Sequence, residues 1–406
     1  MSVSNNELVY DWNKIEPTIK APNRKISFDD ETLRDGLQSP SVCEPTIDKK
    51  LELLHLMNDL GIDTADIGLP GAGGTHAAGV ERLAKEIADK NLNIRANCAA
   101  RTHRSDIQPI IDISQRAGIP IEACTFIGSS PVRFYAEDWT IDKLLHLTED
   151  AVTFAVSNNL PVMYVTEDTT RANPETIRQL YTTAIRAGAK AVCVCDTVGH
   201  STPDGARAVV SFVKSIIEDE GGGVRLDWHG HQDRGLGIIN SIAAIEAGAD
   251  QVHGSALGVG ERVGNTPMDG LLVNLKLMGW IDNDLSRLRE YCEVAASGCN
   301  WTIPFNYPVF GRDAFRTATG VHAAAVIKSY RKGDTELADL VYSGVPAGLF
   351  GLRQVIEIGP MSGKSNVVYW LESRGLEASE DRVTRVYEKA KSSSSVLTED
   401  EVMELV

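Results

Sequence analysis

The chain has 406 residues, 43% hydrophobic and 24% charged, a balance near the globular average that excludes a disordered or fibrous protein. Forty basic against 56 acidic side chains leave a net charge of -16, which excludes a nucleic-acid backbone or an anionic membrane as the main partner. No apolar run approaches the roughly 18 residues that span a bilayer, and residues 1–20 lack the basic and apolar regions of a secretory signal, so a cytoplasmic protein is expected.

From about residue 25 to residue 280, short β-branched runs alternate with helical stretches. Strands are predicted at Lys25–Asp30, Thr64–Leu69, Asn93–Cys98, Ile121–Phe126, Val162–Thr166, Ala191–Cys195, Val224–His229 and Gln251–Ser255. Apolar spacing of 3.6 residues predicts helices between them, among them Ile47–Leu60, Ile141–Ser157, Pro174–Ala187 and Gly237–Ala247. Four of the junctions read alike: Asp59-Leu-Gly-Ile, Arg116-Ala-Gly-Ile, Arg186-Ala-Gly-Ala and Glu246-Ala-Gly-Ala. Each places a glycine where a helix stops and a strand begins. Eight such units in roughly 250 residues predict an α/β fold, a closed (β/α)8 TIM barrel rather than an open doubly wound sheet.

After residue 300 the Pro- and aromatic-rich run Trp301–Gly311 reads as a connector, and mixed helical stretches follow. The predicted division is an N-terminal extension at 1–24, the barrel at 25–300, and a linker with a small, mostly α-helical C-terminal appendage at 301–406. Ser392–Ser395 reads as a flexible joint, and Thr398 with Glu401 as a capping box opening a last short helix.

In a TIM barrel the chemistry sits at the C-terminal strand ends. Asp30-Glu-Thr-Leu-Arg-Asp-Gly-Leu-Gln38 delivers Arg34 and Asp35 there from strand one. His229 and His231, two apart on strand seven, project from one face and can reach a single cation. Strand eight lies between strands seven and one, so closure brings these groups to one rim. The glycine-rich loop Gly258–Asn265 adds the amide oxygen of Asn265. One carboxylate, two imidazoles and an amide oxygen suit Mn²⁺, Mg²⁺ or Zn²⁺. Cys193 and Cys195 read as packed thiols on a strand.

Three segments, Thr32-Leu-Arg-Asp-Gly-Leu-Gln38, His229-Gly-His231 and Gly260-Glu-Arg-Val-Gly-Asn265, resemble the signatures of the metal-dependent barrel enzymes that include 2-isopropylmalate synthase, homocitrate synthase and hydroxymethylglutaryl-CoA lyase. Gly311–His322, Asp339–Tyr342 and Ile358–Asn366 resemble the second domain of the synthases, which the lyases lack. Gly36-Leu-Gln38 is the lyases' form, where the synthases have Gly-Glu-Gln. The loop after strand eight lacks the lyases' cysteine.

The resemblance implies an acyltransferase of amino-acid biosynthesis that condenses acetyl-CoA with a 2-oxo acid and releases a 2-substituted malate and CoA. It implies a divalent metal on Asp35, His229, His231 and Asn265, with Arg34 meeting the developing alkoxide. His322 is the implied base, Tyr342 a proton donor or water-orienting group, and Glu167 an acidic group that assists. It also implies a homodimer in which the appendage reaches the partner's barrel.

Substrate-binding candidates are Gln38, Thr197, Arg101 and His103, with Gly71 and Gly73 in the stretch Leu69–Thr75. That stretch carries little side-chain volume and would leave room for a large or aromatic 2-oxo acid, as in benzylmalate synthesis; by itself it also reads as a plain glycine-rich turn. Arg101 and His103 keep open a homocitrate synthase activity on 2-oxoglutarate, and an acyl-CoA lyase is the other alternative. No regulatory domain follows the appendage, so insensitivity to leucine-type feedback is expected.

Overall fold

The computed structural model describes residues 8–15 and 19–406; residues 1–7 and 16–18 of the expected N-terminal extension lie outside it. The chain divides into two compact units, one ending at Thr302 and the other built on Ile303–Val406 with the N-terminal segment.

In the first unit, β1 (Ser27–Asp30), β2 (Thr64–Asp66), β3 (Arg95–Arg101), β4 (Ile121–Gly128), β5 (Val162–Glu167), β6 (Ala191–Asp196), β7 (Arg225–Gly230) and β8 (Gln251–Gly254) form a closed parallel barrel. The ring shuts where Ser27 pairs with Gln251 and Asp30 with Gly254. This is the (β/α)8 barrel expected from the repeat. β3 starts later and runs three residues further than its β-branched content suggested, so Arg101 ends the strand instead of following it.

The recurrent glycines explain the joints. Gly61, Gly118, Gly188 and Gly248 have φ of 73°, 71°, 111° and 122°, conformations that a Cβ would disfavour. Each turns the chain from a helix back into the next strand.

Strand side chains alternate between the helices and the barrel interior. In β7, Leu226 and Trp228 are buried beneath the helices, while Arg225, Asp227 and His229 point inward. The outer layer is an ordinary apolar core, with Leu53, Leu54, Met57, Leu83, Ile110 and Val213 fully buried. Each contributes roughly 1.5–3 kcal/mol relative to exposure.

The interior is divided. Strands β4 to β6 supply Cys124, Met163, Cys193 and Cys195, which pack together. Strands β7, β8, β1 and β2 supply charge: Asp227, His253, Asp29 and Asp66 are all nearly inaccessible. The floor is tied by Arg225, whose guanidinium donates to Asp227 and to Glu122 at 2.8 Å each. Asn97 donates to Asp29 at 2.7 Å.

The second unit contains helices Gly320–Arg331, Thr335–Leu340, Lys364–Glu372, Glu380–Ser392 and Glu399–Met403, with Arg316–Thr317 paired to Val355–Ile356. Two small cores hold it, one around Val326, Ile327 and Ala338 and one around Val367, Leu371 and Val386. The expected capping box is present: Thr398 accepts from the amide of Glu401, and Glu401 accepts from the amide of Thr398. Among the described residues no helix is long and apolar enough to cross a membrane.

Candidate metal centre and active site

The turn after β1 is built to present two side chains. The amide of Glu31 donates to Gly254 at 2.8 Å, which pins the end of β1 to β8, and the chain then folds back so that the amide of Gly36 donates to the carbonyl of Glu31 at 3.0 Å. This turn carries Arg34 and Asp35 over the mouth. Asp35 Oδ2 lies 3.3 Å from His229 Nε2 and 3.6 Å from His231 Nε2. The two Nε2 atoms are 3.1 Å apart.

That triangle fits a cation. Ligands bound at about 2.0–2.2 Å in tetrahedral or octahedral geometry stand roughly 2.8–3.6 Å from one another. The fourth expected donor is consistent with it: Asn265 is buried, is the backbone bridge partner of His231, and its Oδ1 has no hydrogen-bond partner. The loop that carries Asn265 closes only because residue 264 is glycine. Its φ is 99°, and a Cβ there would lie 1.8 Å from the Gly258 carbonyl. The same carbonyl accepts from the amide of Asn265 at 3.0 Å.

Electrostatics favour positive charge at the same point. Arg34 donates to Asp66 at 2.7 Å and to Glu31, and lies 3.4 Å from Asp35. Burial opposes its charge, but the three carboxylates outweigh burial and hold the guanidinium well above its ordinary value. Burial likewise opposes ionisation of Asp35, yet Arg34 and the two imidazoles hold its carboxyl low. His229 is pushed up to about 10, because hydrogen bonds to Asp35 and Glu31 overcome desolvation; burial and the neighbouring His229 push His231 down to about 4. The carboxylates thus favour positive charge here, and Asp35, His229 and His231 are placed so that they could hold a metal ion.

A cavity of about 160 Å³ opens onto this cluster. Of the sequence-predicted residues, Arg34, Asp35, Gln38, Glu167, Thr197, His229 and His231 line it. Burial raises the carboxyl of Glu167 against the pull of Arg133. The Thr197 hydroxyl accepts from the amide of Asp168 at 2.8 Å, leaving its own proton to donate.

Arg101 and His103 are placed elsewhere. Arg101 is exposed and makes a two-pronged contact to Asp106 at 2.7 and 3.0 Å, and His103 caps the helix Arg104–Ala117 through Ser105. Gly71 packs on Asp106, where a Cβ would stand 3.2 Å from the backbone, and Gly73 faces open space. Leu69 is the member of that stretch that lines the cavity. His322 and Tyr342 belong to the second unit.

The sequence reading left Glu31, Asp66 and His253 without roles, although all three line the cavity. The available signal was alternation. Asp29 and Glu31 lie two apart, as do Gln251 and His253, so each polar pair shares a face that the closed barrel turns inward.

A closed βα barrel with a buried carboxylate and imidazole cluster at its C-terminal rim defines an enzyme of the TIM-barrel class. The chain belongs to the HMGL-like family, whose description matches residues 25–295, and is an enzyme of the acyltransferase kind. It is similar to homocitrate synthase AksA from Methanopyrus kandleri, 30% identical over 384 residues, covering 92% of this chain and 91% of the relative. It is also similar to 2-isopropylmalate synthase from Methanocaldococcus jannaschii, 28% identical over 93% of this chain and 68% of the relative. Among solved structures, HMG-CoA lyase from Bacillus subtilis shares the barrel with a TM-score of 0.58 at 18% identity, covering 70% of this chain and 96% of that one.

Proposed function

We propose that the protein condenses acetyl-CoA with a 2-oxo acid whose side chain is uncharged and apolar, and then hydrolyses the thioester to release a 2-substituted malate and CoA. The observation that carries this reading is the triangle of Asp35, His229 and His231 with Arg34 beside it, in a chain whose relatives are named as synthases of this kind.

Asp35, His229, His231 and Asn265 would hold the divalent ion. When bound, that ion supplies Lewis-acid polarisation of the 2-oxo carbonyl. Arg34 donates to the same oxygen as negative charge develops on it, and its three carboxylate partners fix the guanidinium before reaction. His322 takes the proton from the acetyl methyl, and the carbon so freed bonds to the 2-oxo carbon. Tyr342 donates a proton or orients the water that cleaves the thioester, so that the C–S bond breaks and the sulfur leaves as the thiol. Glu167, with its raised carboxyl, supplies or accepts a proton at the rim. In a homodimer the appendage of one subunit brings His322 to the barrel of the other.

Two features support the uncharged side chain. Arg34 is the one arginine or lysine among the described residues lining the cavity, and it is already shared by three carboxylates. Opposite it the wall is Cys124, Phe126, Met163, Val165, Cys193 and Cys195. A second substrate carboxylate would be desolvated there without a partner. The homocitrate-type reading rests on the relative from Methanopyrus kandleri and on Arg101, which Asp106 already engages.

The test is CoA thiol release from acetyl-CoA with Mn²⁺ and a panel comprising 2-oxoisovalerate, pyruvate, phenylpyruvate and 2-oxoglutarate. Turnover is expected with the apolar acids. Release with 2-oxoglutarate alone would transfer the assignment to the homocitrate type, and release with none would overturn the synthase reading.

A further inference from the structure

Glu31 is 3% exposed and its two oxygens are divided among three nitrogen-bearing side chains, His253, His229 and Arg34. Oε1 accepts from His253 Nδ1 at 2.9 Å and faces His229 Nδ1 at 3.2 Å; Oε2 accepts from Arg34. His253 is itself propped from beneath, its Nε2 lying 3.4 Å from Asp227 and 3.6 Å from Asp29. The position of Glu31 is set by backbone as well, since its amide is tied to the carbonyl of Gly254, the residue after His253.

The His229 ring therefore bridges two sets of groups. Its Nδ1 meets Glu31, while its Nε2 meets Asp35 and His231. A metal displaces one ring proton, and the neutral imidazole that ligates it has one N–H. When Glu31 takes that hydrogen bond at Nδ1, Nε2 is left as a lone pair aimed into the triangle. His231 has no such guide: its Nδ1 is buried without a hydrogen-bond partner.

We propose that Glu31 is a positioning residue. It fixes the tautomer and ring plane of His229 for metal binding, holds Arg34 in register with the same site, and is itself held by His253. One carboxylate thus aligns the metal ligand and the cation that meets the alkoxide. A carboxylate behind a ligating imidazole raises its basicity and fixes its orientation, and loss of such a partner costs about 10–100-fold in metal affinity. The inference rests on the reading of Asp35, His229 and His231 as metal ligands.

Calorimetric titration of Mn²⁺ into the chelator-treated full chain tests it. Glu31→Ala is expected to weaken binding by about 10–100-fold, and Glu31→Gln, which keeps an acceptor oxygen, to restore it to within about threefold of wild type. Wild-type-like binding by Glu31→Ala overturns the proposal. Wild type failing to bind Mn²⁺ overturns the metal reading and this inference with it. Ring-¹⁵N-labelled wild type loaded with Zn²⁺ gives a readout that needs no variant. His229 should show a protonated Nδ1 and a ligated Nε2, and the reverse assignment overturns the proposal even if Glu31→Ala does not fold.

Discussion

The rings of His322 and Tyr342 face one another with centroids 4.2 Å apart and planes inclined by 31°. Twenty positions separate them in the chain. The helices Gly320–Arg331 and Thr335–Leu340 bring them together by packing Ala323, Val326 and Ile327 against Ala338, while both rings stay exposed. His322→Ala is expected to lower kcat for thiol release by roughly 10²–10⁴-fold, with Mn²⁺ affinity and the unfolding midpoint unchanged. An unaltered kcat would remove His322 as the base. Tyr342→Phe keeps the ring contact and tests the hydroxyl alone.

If the appendage serves the neighbouring barrel, two inactive proteins rescue each other. His229→Ala and His322→Ala, mixed and allowed to exchange subunits, should regain about a quarter of wild-type turnover, because half the dimers are mixed and each mixed dimer has one complete site. A mixture that stays inactive although exchange is demonstrated by mass, with one variant uniformly ¹⁵N-labelled so that the mixed dimer has a mass of its own, would place His322 with its own barrel.

Metal removal is expected to stop turnover and leave the barrel folded, since the apolar layer outside the strands does not depend on the rim. Mn²⁺ at 100 times its Kd should then raise unfolding free energy by about 2.7 kcal/mol, read as a shift of the denaturant midpoint. His229→Ala should abolish the shift. A midpoint in that variant that still responds to Mn²⁺ would mean that the ion binds elsewhere.

Arg101 offers a test of substrate charge. Its guanidinium is engaged by Asp106 on the outer side of the rim, so Arg101→Ala should change KM for 2-oxoisovalerate by less than about twofold, as surface substitutions away from a site do. A large rise in KM confined to 2-oxoglutarate would show that the arginine leaves Asp106 to meet a second carboxylate.

Asp30, on the outward side of β1, gives a pH signature separate from the metal cluster. Burial pushes its carboxyl up to about 7, against hydrogen bonds from Thr32 and Tyr291. The folded chain therefore holds this proton more tightly than the unfolded chain, and stability falls as pH rises from about 4 to about 7, by roughly 4 kcal/mol at most. Asp30→Asn has no such proton to lose. The stability difference between variant and wild type should shift in favour of the variant across that window, measured by urea denaturation at several pH values. A difference independent of pH would show that Asp30 ionises normally.

Much of the barrel was legible because its signals are local. A β-branched run, a helical apolar stripe and an Ala-Gly joint each lie within about a dozen residues. The gathering of Asp35, His229 and His231 was legible for a related reason, as His229 and His231 share a strand face and Arg34 and Asp35 share a turn. The network beneath them was not. Glu31 meets His253 across 222 positions, and Arg225 meets Glu122 across 103. Only closure of the ring makes them neighbours, and a charged residue in a strand reads locally as a solvated one. Arg101 lies outside the cavity lining for the opposite reason: its partner Asp106 is five residues away on the next helix, and the short link competes with any role in the cavity.

The eight strands repeat one backbone geometry, yet charge lies on the arc from β7 through β8 and β1 to β2 and sulfur on the arc from β4 to β6. If the proposed reaction holds, a 2-oxo acid entering such a mouth would turn its oxygens toward the first arc and its side chain toward the second. One face of the planar carbonyl would then be presented to the incoming carbon. The tertiary alcohol should form as a single enantiomer, and its handedness is set by the order of the strands around the ring.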